Sequence, residues 1–338
     1  MRKWLICFVL WLVGTEAHGQ LMQDATSQFK IYEDDDFFNV WGRGTDRAYT
    51  SGTGFGYRYM KRKKDTFIDK WLPKAGNDAV NVWEWNAMQM MMTPNDLHNS
   101  AYIPTDFYYA AAFFARHELT SYNTVKKYSL HSEVLLGFMG PLAFGKPAQS
   151  FAHNLLGDEP PLGWGNQLPN APLLNYNFTY TRMMWNPNKH LEVMGSFSGQ
   201  AGTFIDGLGT QTTIRAGWFN PWFGDPDINI GARRIHQVYF FASPNFSVTF
   251  YNAILQGGLF RGQSQQFREE SALQVTRMNP FIIGMDYGFG FTYRRCSFVY
   301  TQKTATAWMS GTGKHSVGNF TFLISLSKRA VPSPSTNK

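Results

Sequence analysis

Thr50–Met60 reads TSGTGFGYRYM, and its alternation decides the fold class. Thr53, Phe55, Tyr57 and Tyr59 fall on one face, and Gly52, Gly54, Gly56 and Arg58 on the other. Aromatic on one side and small or polar on the other is what a strand needs with lipid outside and a crowded interior. The GTGFG core lacks the G-x-G-x-x-G spacing and a following helical pattern, so it is not a nucleotide loop.

Working outward, strand-like runs recur at Phe29–Glu33, Val80–Met91, Phe107–Leu119, Lys126–Leu136, Leu173–Trp185, Leu191–Gly202, Thr210–Phe219, Gln237–Leu255, Pro280–Tyr293, Ser297–Thr304 and Val317–Ser327. Pro244 interrupts the ninth run and marks a bulge or a turn, because proline gives no N–H to a ladder. With a bulge the total is twelve, and single-chain bacterial barrels favour even numbers. The reading is an all-β fold: a transmembrane antiparallel β-barrel of about twelve strands.

Bulk properties agree. Arg2 and Lys3, the apolar run Trp4–Val13 and Ala17-His18-Gly19 compose a secretory signal peptide over residues 1–19. Residues 20–328 are then the barrel and 329–338 a C-terminal tail. Past Cys7 only Cys296 is left, which rules out an internal disulfide. No later run approaches eighteen apolar residues, so there is no transmembrane helix. Aromatics make up 17% of the chain although mean hydropathy is negative, at −0.31. A secreted β-sandwich would explain the alternation but not that aromatic load. A net charge of +7 suits lipid phosphates but decides nothing, and no nucleic-acid partner is implied.

Between the fifth and sixth strands lies the longest loop, Leu136–Asn170. Within it Lys146–Gly157 reads as a short helix, with Pro147 in the first turn and Gly157 past the end. Gln149 and His153 are four apart and share one face, with His153 in the last turn and Glu159 just beyond the stop. A histidine and a carboxylate on a loop stiffened by prolines are a candidate acid/base or metal pair; a surface pair is the commoner case. His98, His117 and His190 read as surface or rim residues, and Trp83, Trp85 and Trp164 as packing or interface residues.

Strand parity adds a spatial expectation. If the barrel begins and ends on the periplasmic side, Asp34–Asp36, Tyr49-Thr50 and the Leu136–Asn170 loop all meet at the outer rim. The basic run Lys61–Lys64 falls at the inner end.

At these segments the chain resembles the lipid A 3′-O-deacylase family of outer-membrane hydrolases. Three stretches carry the resemblance in order: Asp34-Asp35-Asp36-Phe37-Phe38; Asp46-Arg47-Ala48-Tyr49-Thr50-Ser51-Gly52; and Gly140-Pro141 with Gln149, His153, Trp164 and Gln167. The resemblance implies a twelve-stranded barrel that needs calcium (Ca2+) and removes the 3′-linked acyloxyacyl group from lipid A of lipopolysaccharide. It implies His153 as the general base that activates water. It also implies Asp36, Glu159 and Thr50 at the metal, with Asp35 and Gln149 beside them. A multi-pass outer-membrane location and a monomer among outer-membrane lipids follow. The chain departs from the pattern in two places. Asp35 stands where the family has asparagine, and Asn95–Asn99 offers no counterpart to a family lysine. The missing lysine keeps one alternative open, a phospholipase-type acyl-ester hydrolase; a catalytically silent barrel or pore is a further alternative of a different class.

Overall fold

The computed structural model describes residues 25–40, 48–60, 68–101, 106–224, 236–258 and 278–328. The expected signal peptide, the tail, Lys61–Lys64 and Asp46-Arg47 lie outside them. The strands are β1 (Ala25–Asp35), β2 (Ala48–Tyr59), β3 (Val80–Thr93), β4 (Ala110–Asn123), β5 (Tyr128–Met139), β6 (Ala171–Asn188), β7 (Leu191–Gly202), β8 (Ile205–Trp218), β9 (His236–Asn252), β10 (Phe281–Tyr293), β11 (Cys296–Ala305) and β12 (His315–Lys328). Each pairs antiparallel with its neighbour in sequence, and β1 pairs with β12 to close the barrel. Closure leaves none of the described strands at a free edge.

The alternation of β2 is used as read. Phe55 and Tyr57 are exposed on the outer wall, while Gly52, Gly54 and Gly56 face inward. A Cβ at those glycines would collide with Tyr49, Tyr32 and Glu84 respectively. The glycines therefore make room for side chains that cross the interior. Lys30, Arg58 and Glu84 form one ion-paired layer there, and Arg116 bridges Glu118 and Glu133 beside it.

Apolar layers lie above and below. Toward the end that carries the long loop, Tyr32, Met88, Phe114, Leu173, Phe204 and Ile254 pack together. Near the other end Val82, Tyr122, Met194 and Phe223 do the same. A cavity of about 750 Å³ remains in the interior, lined by members of both layers.

Three details differ from the sequence reading. Pro244 makes neither bulge nor turn: it sits opposite Met285 in an unbroken β9–β10 register. On the β8 side, Gln211↔Asn245 and Ile214↔Ala242 keep one register and the ladder skips the residues between, where the missing N–H is tolerated. The end of that run, Ala253–Gln256, is a helical turn (α2) capped by Asn252, whose side chain accepts from Ile254 N–H at 3.1 Å. His117 is not a surface residue. It is buried between Trp83 and Trp85, with Nε2 3.1 Å from Asp69 Oδ1.

Candidate functional site on the outer wall

The β5–β6 connection folds back along the outside of the barrel. Gly140 N–H donates to Ala111 O at 2.8 Å, and Gln89 Nε2 donates to Ala143 O. A Cβ at Gly145 would strike Ala111 and the Trp164 ring. Gln89, Met91, Ala111 and Phe138 share the parity of exposed Phe55, Phe113 and Leu136, so they belong to the outer face. Met91, Leu97, Tyr109, Ala111, Ala143 and Trp164 form a small apolar cluster that fixes the connection to that face.

The helix it carries, α1, spans Gly145–Leu156. Pro147 lies in the first turn. Gly157 takes the left-handed conformation at φ 78°, and both Gly157 and Asp158 N–H donate to His153 O. Gly145, Gln149 and His153 are the buried residues, four apart on one face.

Two hydrogen bonds orient the polar groups of that face. His153 Nδ1 lies 2.6 Å from the backbone oxygen of Glu159. A carbonyl can only accept, so Nδ1 carries the proton and Nε2 is the nitrogen that can take one. Trp164 Nε1 donates to Gln149 Oε1 at 2.8 Å. An indole N–H can only donate, which fixes the amide: Gln149 Nε2 points the other way. That Nε2 is buried and makes no hydrogen bond, as does Gln167 Oε1 in the same loop. Buried polar atoms left unpaired are uncommon, and each is open to a water, an ion or a ligand. The Glu159 carboxylate is itself exposed and pairs with His98 Nε2 at 3.0 Å.

A second cover lies across the first hairpin. Asp36–Phe38 form a single 3-10 turn, and the segment continues over the outer faces of β11 and β12. Phe38 packs on Phe320 at 4.8 Å between ring centroids, and its carbonyl accepts from Tyr300 OH at 3.0 Å. Val40 N–H donates to Gln302 Oε1 at 2.9 Å.

Between the two covers, β1 and β2 present Glu33, Asp35, Ser51 and Thr53 on the outer face. Thr53 Oγ1 donates to Glu33, 2.9 Å from Oε2. Asp35 accepts from Phe37 N–H at 2.8 Å and caps the 3-10 turn. Asp36 is buried at the start of that turn. Asp34 points into the barrel, where it accepts from Tyr49 OH at 2.8 Å, from Lys303 Nζ at 3.0 Å and from Asn319. A bulge between Tyr49 and Ser51 sets Thr50 against Thr93, hydroxyls 2.5 Å apart and both buried.

The expected residues thus fall into two groups at one end of the barrel. Gln149, His153 and Glu159 are together on and just past α1. Asp35, Asp36 and Thr50 sit at the outer end of the β1–β2 hairpin, next to β3–β5, which carry α1. Sequence reasoning missed three things. Trp164 orients Gln149, His98 holds Glu159, and Glu33–Thr53 puts a carboxylate on the outer wall. Trp164 is legible as part of the third motif but not in this role, His98 only as a surface or rim residue, and Glu33 through its place two residues before Asp35 and so on its face.

Comparison with known proteins bears on the family and the fold. The family described as outer membrane protein LpxR matches residues 4–326. The structure of LpxR from Salmonella typhimurium superposes with a TM-score of 0.69 at 17% identity, covering 88% of this chain and 100% of that one. The β-domain of the Bordetella autotransporter BrkA gives a TM-score of 0.40 at 8% identity, over 90% of this chain and 100% of its own. The COG4313 outer membrane channel from Pseudomonas putida F1 gives 0.42 at 8% identity, over 92% and 99%. No curated protein sequence matches. The family match runs through nearly the whole chain and the closed twelve-stranded barrel agrees with it, so this protein belongs to the LpxR family of outer-membrane proteins.

Proposed function

We propose that the chain hydrolyses the ester that links the 3′ acyloxyacyl group to lipid A, with His153 as general base and calcium as cofactor. One observation carries the reading: His153 and Gln149 share the buried face of α1, one with its base nitrogen defined as Nε2, the other with an unpaired N–H donor. Ester hydrolysis needs such a pair, a base for the water and a donor for the oxyanion.

His153 Nε2 takes a proton from water as the water oxygen bonds to the ester carbonyl carbon. The carbonyl oxygen gains the electron pair, and Gln149 Nε2–H donates to it. When the tetrahedral centre collapses, the bond to the sugar oxygen breaks and the imidazolium returns the proton to that oxygen. The products are a free acyl chain and the sugar hydroxyl.

The donor types suit calcium, as the resemblance implies. Asp36, Glu159 and Thr50 offer only oxygen, which a hard cation requires, and Gln167 Oε1 is a buried acceptor with no hydrogen bond. When bound, calcium supplies positive charge beside the developing oxyanion. Asp35, on the outer face beside Glu33, adds a carboxylate to the same hairpin. Every one of these groups comes from one chain, so a monomer suffices. The outer-wall placement lets a lipid enter sideways from the leaflet.

The test is mass spectrometry of lipid A from cells with and without the chain. Loss of one acyloxyacyl unit, abolished by His153→Ala and by a calcium chelator, is expected. Lysophospholipid with unchanged lipid A would replace this reading by a phospholipase, and no product from either lipid would end it.

A further inference from the structure

Helix α1 has the reverse of the usual amphipathic arrangement. A helix on a water-soluble protein turns its apolar stripe inward and its polar face out. Here the inward face carries Gln149 and His153, and the outward surface carries Phe144 (62% exposed), Phe151 (70%) and Leu155 (40%). At about 100° per residue Phe151 and Leu155 fall in one narrow arc, and Phe144 precedes the helix in the left-handed conformation at φ 58°. Lys146, Ser150 and Asn154 fall in a different arc on the other flank of the wall-facing side. The helix has three sides: one toward protein, one apolar and one polar.

The position of α1 says what meets the apolar side. The helix is fixed to the outer face of β3–β5 near their outer ends, and the outer wall beside it shows exposed Phe113 and Leu136. Its apolar arc is continuous with a surface that crosses the outer membrane. A helix of this length is too short to span a bilayer, and no helix among the described residues is long and apolar enough to do so. A short helix with one apolar and one polar flank lies in the plane of the interface instead.

We infer that α1 is immersed in the outer leaflet, with Phe144, Phe151 and Leu155 among acyl chains and Lys146, Ser150 and Asn154 toward the headgroups. The helix then acts as a membrane wedge that holds its polar inner face at the depth where headgroup meets acyl chain. This holds whether or not the site cleaves an ester, since it rests on placement and exposure alone.

The experiment uses the full chain with Cys7→Ser and Cys296→Ser, refolded into phosphatidylcholine–phosphatidylglycerol vesicles. A nitroxide is attached at Phe151→Cys, at Leu155→Cys or at Asn154→Cys, and heat-modifiable gel mobility verifies the barrel. Power saturation then compares relaxation by oxygen, which concentrates in lipid, with relaxation by a water-soluble nickel chelate. The expected result is oxygen dominance at 151 and 155 and nickel dominance at 154. Nickel dominance at both 151 and 155 overturns the inference, even if lipid A hydrolysis is found. If hydrolysis is absent but the labels report lipid at 151 and 155, the catalytic reading fails and the immersed helix stands.

Discussion

Trp164 donates its indole N–H to the side-chain oxygen of Gln149 at 2.8 Å, across a turn of α1 and a proline-rich loop. The contact fixes which end of the amide faces outward from the pair, because an indole nitrogen cannot accept. Its consequence is chemical: Gln149 presents a donor. Gln149→Ala should lower the turnover rate about 100- to 1,000-fold, as loss of an oxyanion donor does. Gln149→Glu keeps an oxygen for Trp164 but offers no N–H, so it should be as impaired as alanine. Trp164→Phe lets the amide rotate and should fall between wild type and both. Single-turnover deacylation of purified lipid A measures all three; a fully active Gln149→Glu variant rejects the role.

Glu159 contributes through two different atoms. Its backbone oxygen holds His153, and its carboxylate is the proposed cation ligand. Glu159→Gln keeps the first and removes charge from the second. Calcium needed for half-maximal activity should rise by about tenfold or more, with most of the rate regained at saturating calcium. A variant with unchanged calcium dependence places the ion elsewhere.

Asp34 is the inward neighbour of the outward pair Glu33 and Asp35, and it joins β1 to Lys303 on β11 and Tyr49 on β2. Asp34→Ala leaves a cation and a hydroxyl in the interior without their acceptor. It should destabilise the barrel by about 3 kcal/mol, the lower end of what breaking a buried pair costs. Urea unfolding in vesicles, followed by tryptophan fluorescence, provides the measurement. An unchanged midpoint shows that solvent replaces the carboxylate.

Gly54 faces the Tyr32 ring in the interior. Gly54→Val should cost about 1–3 kcal/mol by overpacking. Combining it with Tyr32→Leu, which vacates that space, should recover part of the loss. Strictly additive effects in the double variant contradict direct crowding.

Much of the fold is legible because the strand period is local. In β2 the alternation assigns lipid side and interior from eleven residues, and the structure uses it unchanged. α1 is legible for the same reason, since Pro147 and Gly157 bracket it with their own backbone restrictions. Pro244 shows the limit. A missing N–H says that one ladder bond is lost, but only the neighbouring strand shows that the loss falls on the β8 side without any shift of register.

The sequence by itself determined the closed barrel, the capped helix and the shared face of Gln149 and His153, because each depends on periodicity or on one residue's φ. Tertiary structure alone decided that α1 lies outside the wall, since a long loop at a rim can fold either way until close packing such as Gly145 on Ala111 selects a side. It alone decided which of three consecutive acids faces out. Strand geometry reverses direction at every residue, so a slip of one position exchanges the interior Asp34 for the outer-wall Asp35.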